Sequence, residues 1–270
     1  MRYVKLREPE APGGSVRMPC MDAVYRRRYP LVFLRNMRAK WRLRTPAQVT
    51  VSCGNEKMGS KPIDSHELDN IATVTLAHYE QRAEEFRAGT HDHDVSQNIV
   101  SLLRHIEGEA PFSILDFGCG PGRDLKAFTA LGNRAIGLEG AAGFAAMARE
   151  HTGCEVWQQD FLKLDLPHEY FDGIFANATL FHVPSQELPR ILRQLHTTLK
   201  PRGVLFSSNP RGENEEGWNR GRYGAYHDLD AWRRYVSGEG FMELEHYYRP
   251  TGLPREQQPW LASVWRRSSP

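Results

Sequence analysis

The segment Phe112–Phe128 (Phe-Ser-Ile-Leu-Asp-Phe-Gly-Cys-Gly-Pro-Gly-Arg-Asp-Leu-Lys-Ala-Phe) constrains the fold more than any other stretch of the chain. An apolar run at Ile114-Leu115 enters a turn with glycine at 118, 120 and 122, and a helix-compatible stretch follows. The reading is strand, tight turn, helix. Glycines at alternate positions let the backbone take positive φ and come into contact with a ligand, while the helix start offers unpaired N–H groups. Either a polar ligand sits on this turn or it is a plain tight connector. A dinucleotide fingerprint wants glycine at its first, third and sixth positions. Counted from Gly118, the sixth position here is Arg123.

The spacing Gly-x-Gly-x-Gly, with Asp116 two residues before it, resembles motif I of the class I S-adenosylmethionine (SAM) methyltransferases. The resemblance implies that the turn, Gly118, Cys119, Gly120 and Gly122, passes under the methionine part of SAM with Asp116 close by. An apolar strand then runs from Arg134 to Leu138 and ends in Glu139, seventeen positions beyond Gly122. That is near the ~20-residue interval at which an acidic residue reaches ribose hydroxyls from the second strand of a doubly wound sheet. A carboxylate accepts from both vicinal hydroxyls in charge-assisted bonds, so Glu139 and Gly140 are assigned to the cofactor; a solvated strand-end charge is the alternative. Asp160-Phe161 follows the third strand, Glu155 to Trp157. In the family this position contacts adenine, which gives Asp160 the exocyclic amine and Phe161 the ring; core packing is the other reading of Phe161. The fourth strand, Phe171 to Asn177, leaves Asn177 and the stretch to Pro184 at its carboxyl end, where ligands of open parallel sheets bind. His182 lies there, as proton carrier or as packing residue.

Composition fits a soluble globular chain: 270 residues, 40% hydrophobic, 25% charged. No apolar run approaches the ~20 residues of a membrane span and the N-terminus lacks a signal peptide's apolar centre, so the cytoplasm is the expected location. The four cysteines lack paired zinc spacing and receive no metal or redox role. Net charge of +2 gives no nucleic-acid signature for the chain as a whole. Residues 1–44, however, hold twelve Lys or Arg against three acids. Residues 1–57 read as a basic, disordered extension, as an upstream stretch before a start at Met58, or as a targeting or nucleic-acid arm.

Residues 58–270 form the expected methyltransferase domain, with a helical lid over 58–110 and a catalytic core over 111–270. The first lid helix starts at a Ser65 cap, continues to about Arg87 and breaks at Gly89. His91-Asp92-His93-Asp94 precedes a second helix, Ile99 to Ile106; the cluster suits a cap, a substrate contact or, less well, a metal, and no metal is assigned. After the turn, strand and helix alternate through five units, which argues for a parallel sheet with right-handed crossovers. The segment Asn209–Tyr226 reads as a long functional loop whose Arg211, Arg220, Arg222 and Tyr223 suit a carboxylate. Two late strands, Phe241 to Tyr248 and Trp260 to Arg266, match the antiparallel hairpin that closes a methyltransferase sheet. The expected fold is therefore α/β: a doubly wound, mostly parallel, seven-stranded Rossmann-like sheet behind a helical cap.

From Tyr79 to Arg267 the chain further resembles the methyltransferase domain of the ovothiol-biosynthesis enzymes, the 5-histidylcysteine sulfoxide synthases. The likeness is carried by His93–Asn98, Phe181–Pro189, Ser208–Gly212 and Gln258–Ala262. It implies N-methylation of the imidazole of 5-thiohistidine. The iron-dependent synthase part and its His-x-x-x-His-x-Glu ligands are missing from this sequence, so another protein would supply the thiol. His93, Asp94 and His182 are then the candidates to collect the proton, and Tyr79, Asn98, Arg211, Arg222 and Tyr223 to hold the acceptor. Other small-molecule or protein acceptors, and SAM binding without transfer, stay open.

Overall fold

A computed structural model describes residues 62–268. The basic extension expected over residues 1–57 lies outside them.

Seven strands form one sheet in the order β3-β2-β1-β4-β5-β9-β8. They are β1 (Ser113–Phe117), β2 (Arg134–Glu139), β3 (Val156–Gln158), β4 (Phe171–Asn177), β5 (Leu199–Pro210), β8 (Phe241–Arg249) and β9 (Trp260–Arg267). β1 to β5 pair in parallel, and β9 runs antiparallel between β5 and β8. The strands are apolar on both faces because helices cover both. Along β1, Leu115 and Phe117 enter one cluster with Ile191, Leu192 and Leu195, while Ile114 points into another with Ile99, Leu102 and Phe128. Period-two alternation thus feeds two cores from one strand.

The helices are α1 (Ser65–Glu80), α2 (Ala83–Thr90), α3 (Ser96–Leu103), α4 (Arg123–Ala130), α5 (Ala142–Thr152), α6 (Leu188–Thr198) and α7 (Leu229–Gly238). α6 shows why they dock: Leu188, Ile191, Leu192 and Leu195 recur at helical spacing and are all buried, and Pro189 sits in its first turn.

Three local expectations change. The single lid helix is two, broken at Gln81-Arg82, where no glycine or proline signals a stop. Its cap is Asp64, whose carboxylate accepts from the Glu67 amide at 2.9 Å, and not Ser65. The long loop after β5 contains a hairpin, β6 (Glu215–Asn219) and β7 (Arg222–Tyr226). Its two-residue turn, Arg220-Gly221, has φ of 52° and 83°. Both values are positive, as a type I′ hairpin turn requires. Among the described residues no helix is long and apolar enough to cross a membrane.

Candidate active site

The glycine bend leaves β1 at the carboxyl edge of the sheet. Gly118, Gly120 and Gly122 all have positive φ, at 77°, 52° and 91°. A Cβ on Gly118 would lie 2.4 Å from Thr179 Cγ2, so the segment after β4 closes one side of the bend. A Cβ on Gly120 would meet nothing nearer than Phe86 Cε1 at 3.9 Å, so the bend is open at that point toward α2. Gly118→Ala combines the contact with the unfavourable φ. It should destabilise the fold by about 2 kcal/mol or more, read as a lowered Tm.

Glu139 ends β2 directly beside this bend. Its Oε2 accepts from the Gly120 amide and its Oε1 from the Ala141 amide, each at 2.9 Å. Each carboxylate oxygen keeps a further lone pair for a hydroxyl. Burial raises the Glu139 pKa, and the two amide bonds oppose the shift. Asp116 is 1% exposed, and its Oδ2 has no hydrogen-bond partner. Burial, and then the charge of Asp124, push its pKa well up. Arg123 is committed elsewhere: Nε and Nη2 grip the Asp124 carboxylate at 2.7 and 2.9 Å, and Nη1 donates to the Thr90 carbonyl at 3.1 Å. The site therefore holds three carboxyl groups around one guanidinium, and those of Asp116 and Glu139 have raised pKa values that a nearby positive charge would bring down. That balance suits a ligand carrying positive charge.

The lid lies against the turn after β2. Leu76 occupies the space a Cβ on Gly140 would need, at 2.5 Å, and Glu80 does the same at Gly143, at 2.7 Å. Glu80 Oε2 accepts from the Gly143 amide at 2.8 Å, in the first turn of α5. Tyr79 packs on Phe86 and Phe144 with ring centroids 5.8 and 5.9 Å away.

Tyr79 also meets His182, which ends a short 3₁₀ turn (Leu180–His182) beyond β4. The Tyr79 hydroxyl and His182 Nε2 are 2.7 Å apart, and His182 Nδ1 is 2.7 Å from the Tyr223 carbonyl. A carbonyl only accepts, so Nδ1 carries the ring proton and Nε2 accepts from Tyr79. Burial lowers the His182 pKa to about 4 and raises that of Tyr79 to about 12, so both are neutral near pH 7. The Arg222 guanidinium stands 5.7 Å above the Tyr79 ring, and its Nε has no partner. The unfolded histidine binds its proton more readily, so the stability that neutral His182 contributes is whole above pH 6.5. It is lost as pH falls toward 4, by on the order of 3 kcal/mol, and thermal melts across that window should show the decline.

Other expected site residues are placed differently. Asp94 precedes α3 without capping it, the N-cap being Val95; it accepts from the Ser96 amide at 2.9 Å, and the Ser96 side chain, then that amide, lower its pKa. His93 is exposed on the same loop. Among the described residues no three His, Cys, Asp or Glu are grouped to hold a metal ion. Asn98 is 1% exposed and already satisfied: it donates to Asn177 Oδ1 and accepts from the Tyr247 hydroxyl, both at 2.9 Å. It ties the end of β4 to Tyr247. Arg211 donates to the carbonyls of Gln258 and Arg255, which fastens the loop before β9. Tyr223 turns its ring onto Trp218 and offers His182 only its carbonyl. The Cys119 side chain packs with Leu125 and Ala148, and burial raises its pKa, leaving its backbone alone to the bend. Phe161 stacks on Phe117 at 4.6 Å, and Asp160 accepts from the Leu162 amide at 2.9 Å. Glu80, Phe86 and Thr179 carried no local signal that would have singled them out.

A sheet of this order, with a glycine bend after its first strand and a carboxylate after its second, is the α/β Rossmann-like methyltransferase fold. Residues 115–207 match the family described as "Methyltransferase domain". Trans-aconitate 2-methyltransferase of Azoarcus sp. (strain BH72) is 30% identical over 118 residues, which is 42% of this chain and 45% of that protein. Sterol 24-C-methyltransferase ERG6B of Gibberella zeae is 26% identical over 161 residues, 51% of this chain and 41% of that protein. The chain spans less than half the length of these two relatives. In fold it is similar to Burkholderia thailandensis 1,6-didemethyltoxoflavin-N1-methyltransferase, with a TM-score of 0.64 and 19% identity over 78% of this chain and 94% of that one. The [4+2]-cyclase SpnF is similar too, at a TM-score of 0.57 and 14% identity over 74% of this chain and 98% of that one, so the fold by itself does not define the reaction. The chain therefore has the Rossmann-like fold of the SAM-dependent methyltransferases, and its match to the methyltransferase-domain family spans residues 115–207. The open face of Gly120, the carboxylates and the unpaired oxygen of Asp116 fit that cofactor.

Proposed function

We propose that the protein methylates a nitrogen of a small acceptor, and that the acceptor is the imidazole of 5-thiohistidine. The observation that carries the reading is the neutral Tyr79–His182 pair at the carboxyl end of β4. The likeness of Phe181–Pro189 and Ser208–Gly212 to the ovothiol enzymes names the acceptor. When bound, SAM supplies a methyl group already activated on a sulfonium. Asp116, Gly118, Gly120, Gly122, Glu139 and Gly140 would hold it, with Asp160, Phe161 and Asn177 at its margins. The protein's task is then alignment. An imidazole nitrogen attacks with its lone pair and needs no strong base beforehand. The ring N–H donates a hydrogen bond to the Tyr79 oxygen, which His182 Nε2 holds in place, and its proton passes to bulk water afterwards.

Arg222 favours a second reading. An unpartnered guanidinium nitrogen beside Tyr79 suits a carboxylate on the acceptor, and relatives that methylate trans-aconitate act on a carboxylate compound. The two readings separate in one assay. The full chain is incubated with SAM and either 5-thiohistidine or trans-aconitate, and the products are weighed by mass spectrometry. Gain of one methyl group on the imidazole is expected; methylation of trans-aconitate alone would overturn the first reading.

A further inference from the structure

We infer that the protein has a second acceptor-recognition point, a small pocket beneath the β6–β7 hairpin that takes a primary ammonium group. The inference rests on the small-acceptor reading above and adds a requirement to it.

Asn209 and His227 are 8% and 9% exposed, yet Asn209 Oδ1 and His227 Nδ1 have no hydrogen-bond partner. Buried polar atoms without partners are rare in folded proteins, and each one calls for an explanation. Here both line the same cavity, with Phe181, Ala225, Trp232 and Leu261 as its remaining walls. Its volume is about 10 Å³, which admits one water-sized group. Asn209 lies near the end of β5, one residue beyond Ser208, the β-sheet partner of Asn177. The pocket is therefore at the carboxyl edge of the sheet, where the glycine bend also lies. Phe181 precedes His182, and Ala225 belongs to the hairpin strand that carries Arg222 and Tyr223.

The chemistry of the walls selects the ligand. Asn209 Oδ1 only accepts. Burial keeps His227 neutral, and its Nε2 stands 3.4 Å from Ser185 Oγ, so Nδ1 accepts when Nε2 donates to that hydroxyl. The Trp232 indole N–H is already given to Ser263 Oγ at 3.0 Å, which leaves the cavity no donor from that side. Two acceptors and two aromatic rings around a one-atom space fit a compact cation that donates hydrogen bonds. A carboxylate is the wrong charge and too large.

The test uses the full chain saturated with S-adenosylhomocysteine, titrated calorimetrically with 5-thiohistidine and with its analogue lacking the amino group. The amine-bearing compound should bind about tenfold tighter or better. Asn209→Leu, or the milder Asn209→Ala, should erase that difference while leaving the analogue and S-adenosylhomocysteine bound as before. Equal weakening of both compounds, or an undiminished preference for the amine, would overturn the inference. If neither compound binds, the acceptor reading fails, and the pocket is tested alone with methylammonium against acetate. The readout is the ring ¹⁵N resonances of His227, assigned with His227→Phe. A saturable shift with methylammonium only sustains the pocket; no shift means that it holds a buried water only.

Discussion

Tyr79→Phe is expected to lower kcat for methyl transfer about 100-fold, the usual loss for one positioned hydrogen-bonding group, with the SAM dissociation constant changed by no more than about twofold. The phenyl ring keeps the packing on Phe86 and Phe144 that seats the lid, so only the hydroxyl is lost. What disappears is the hydroxyl that His182 Nε2 holds toward the acceptor's ring N–H, since the Tyr223 carbonyl still holds Nδ1 in place. If the two residues act as one unit, His182→Phe should cost a similar factor, and the double variant little more than either alone. Single-turnover kinetics with SAM in excess make the measurement. Full activity in Tyr79→Phe would leave the pair a structural contact and remove the main support for the proposed role of the hydroxyl.

Glu139→Ala should weaken SAM binding by about 100-fold or more, because charge-assisted bonds to the cofactor and to the bend go together. The Gly120 and Ala141 amides lose their buried acceptor at the same time. Glu139→Gln keeps one carbonyl oxygen and should fall between the wild type and Ala. Calorimetric titration with SAM reads both, and thermal melts separate lost binding from lost fold. An affinity within threefold of wild type in Glu139→Ala would mean that the cofactor is held elsewhere.

The sheet and its bend were legible because their signals are local. Ile114-Leu115 before three alternate glycines, Glu139 at the end of an apolar run, and Phe171–Asn177 each announce themselves within a few residues. The break at Gln81-Arg82 was not legible, because Ala83 and Phe86 turn toward Phe144, a residue almost sixty positions away. The hairpin had a readable turn in Arg220-Gly221, but its polar strands, with Glu215, Glu216 and Asn219, lack the apolar alternation that marks a half-buried strand.

The side-chain assignments divide the same way. Glycine positions and strand-end carboxylates follow from backbone geometry, so a linear pattern locates them. A polar side chain's role depends on what occupies its donors and acceptors, and those partners come from distant elements. Asn98 and Arg211 read as free substrate contacts until Tyr247 and the Arg255–Gln258 backbone take their hydrogen bonds. Sequence alone determined the α/β architecture, the glycine bend and its companion carboxylate, because each is written within one strand and the turn that follows it. Tertiary structure alone decided that Tyr79 from the lid meets His182 from the turn beyond β4, which protons they hold, and which polar atoms remain unpaired. Burial and pairing are properties of the packed chain, set only when segments remote in sequence exclude water from one another.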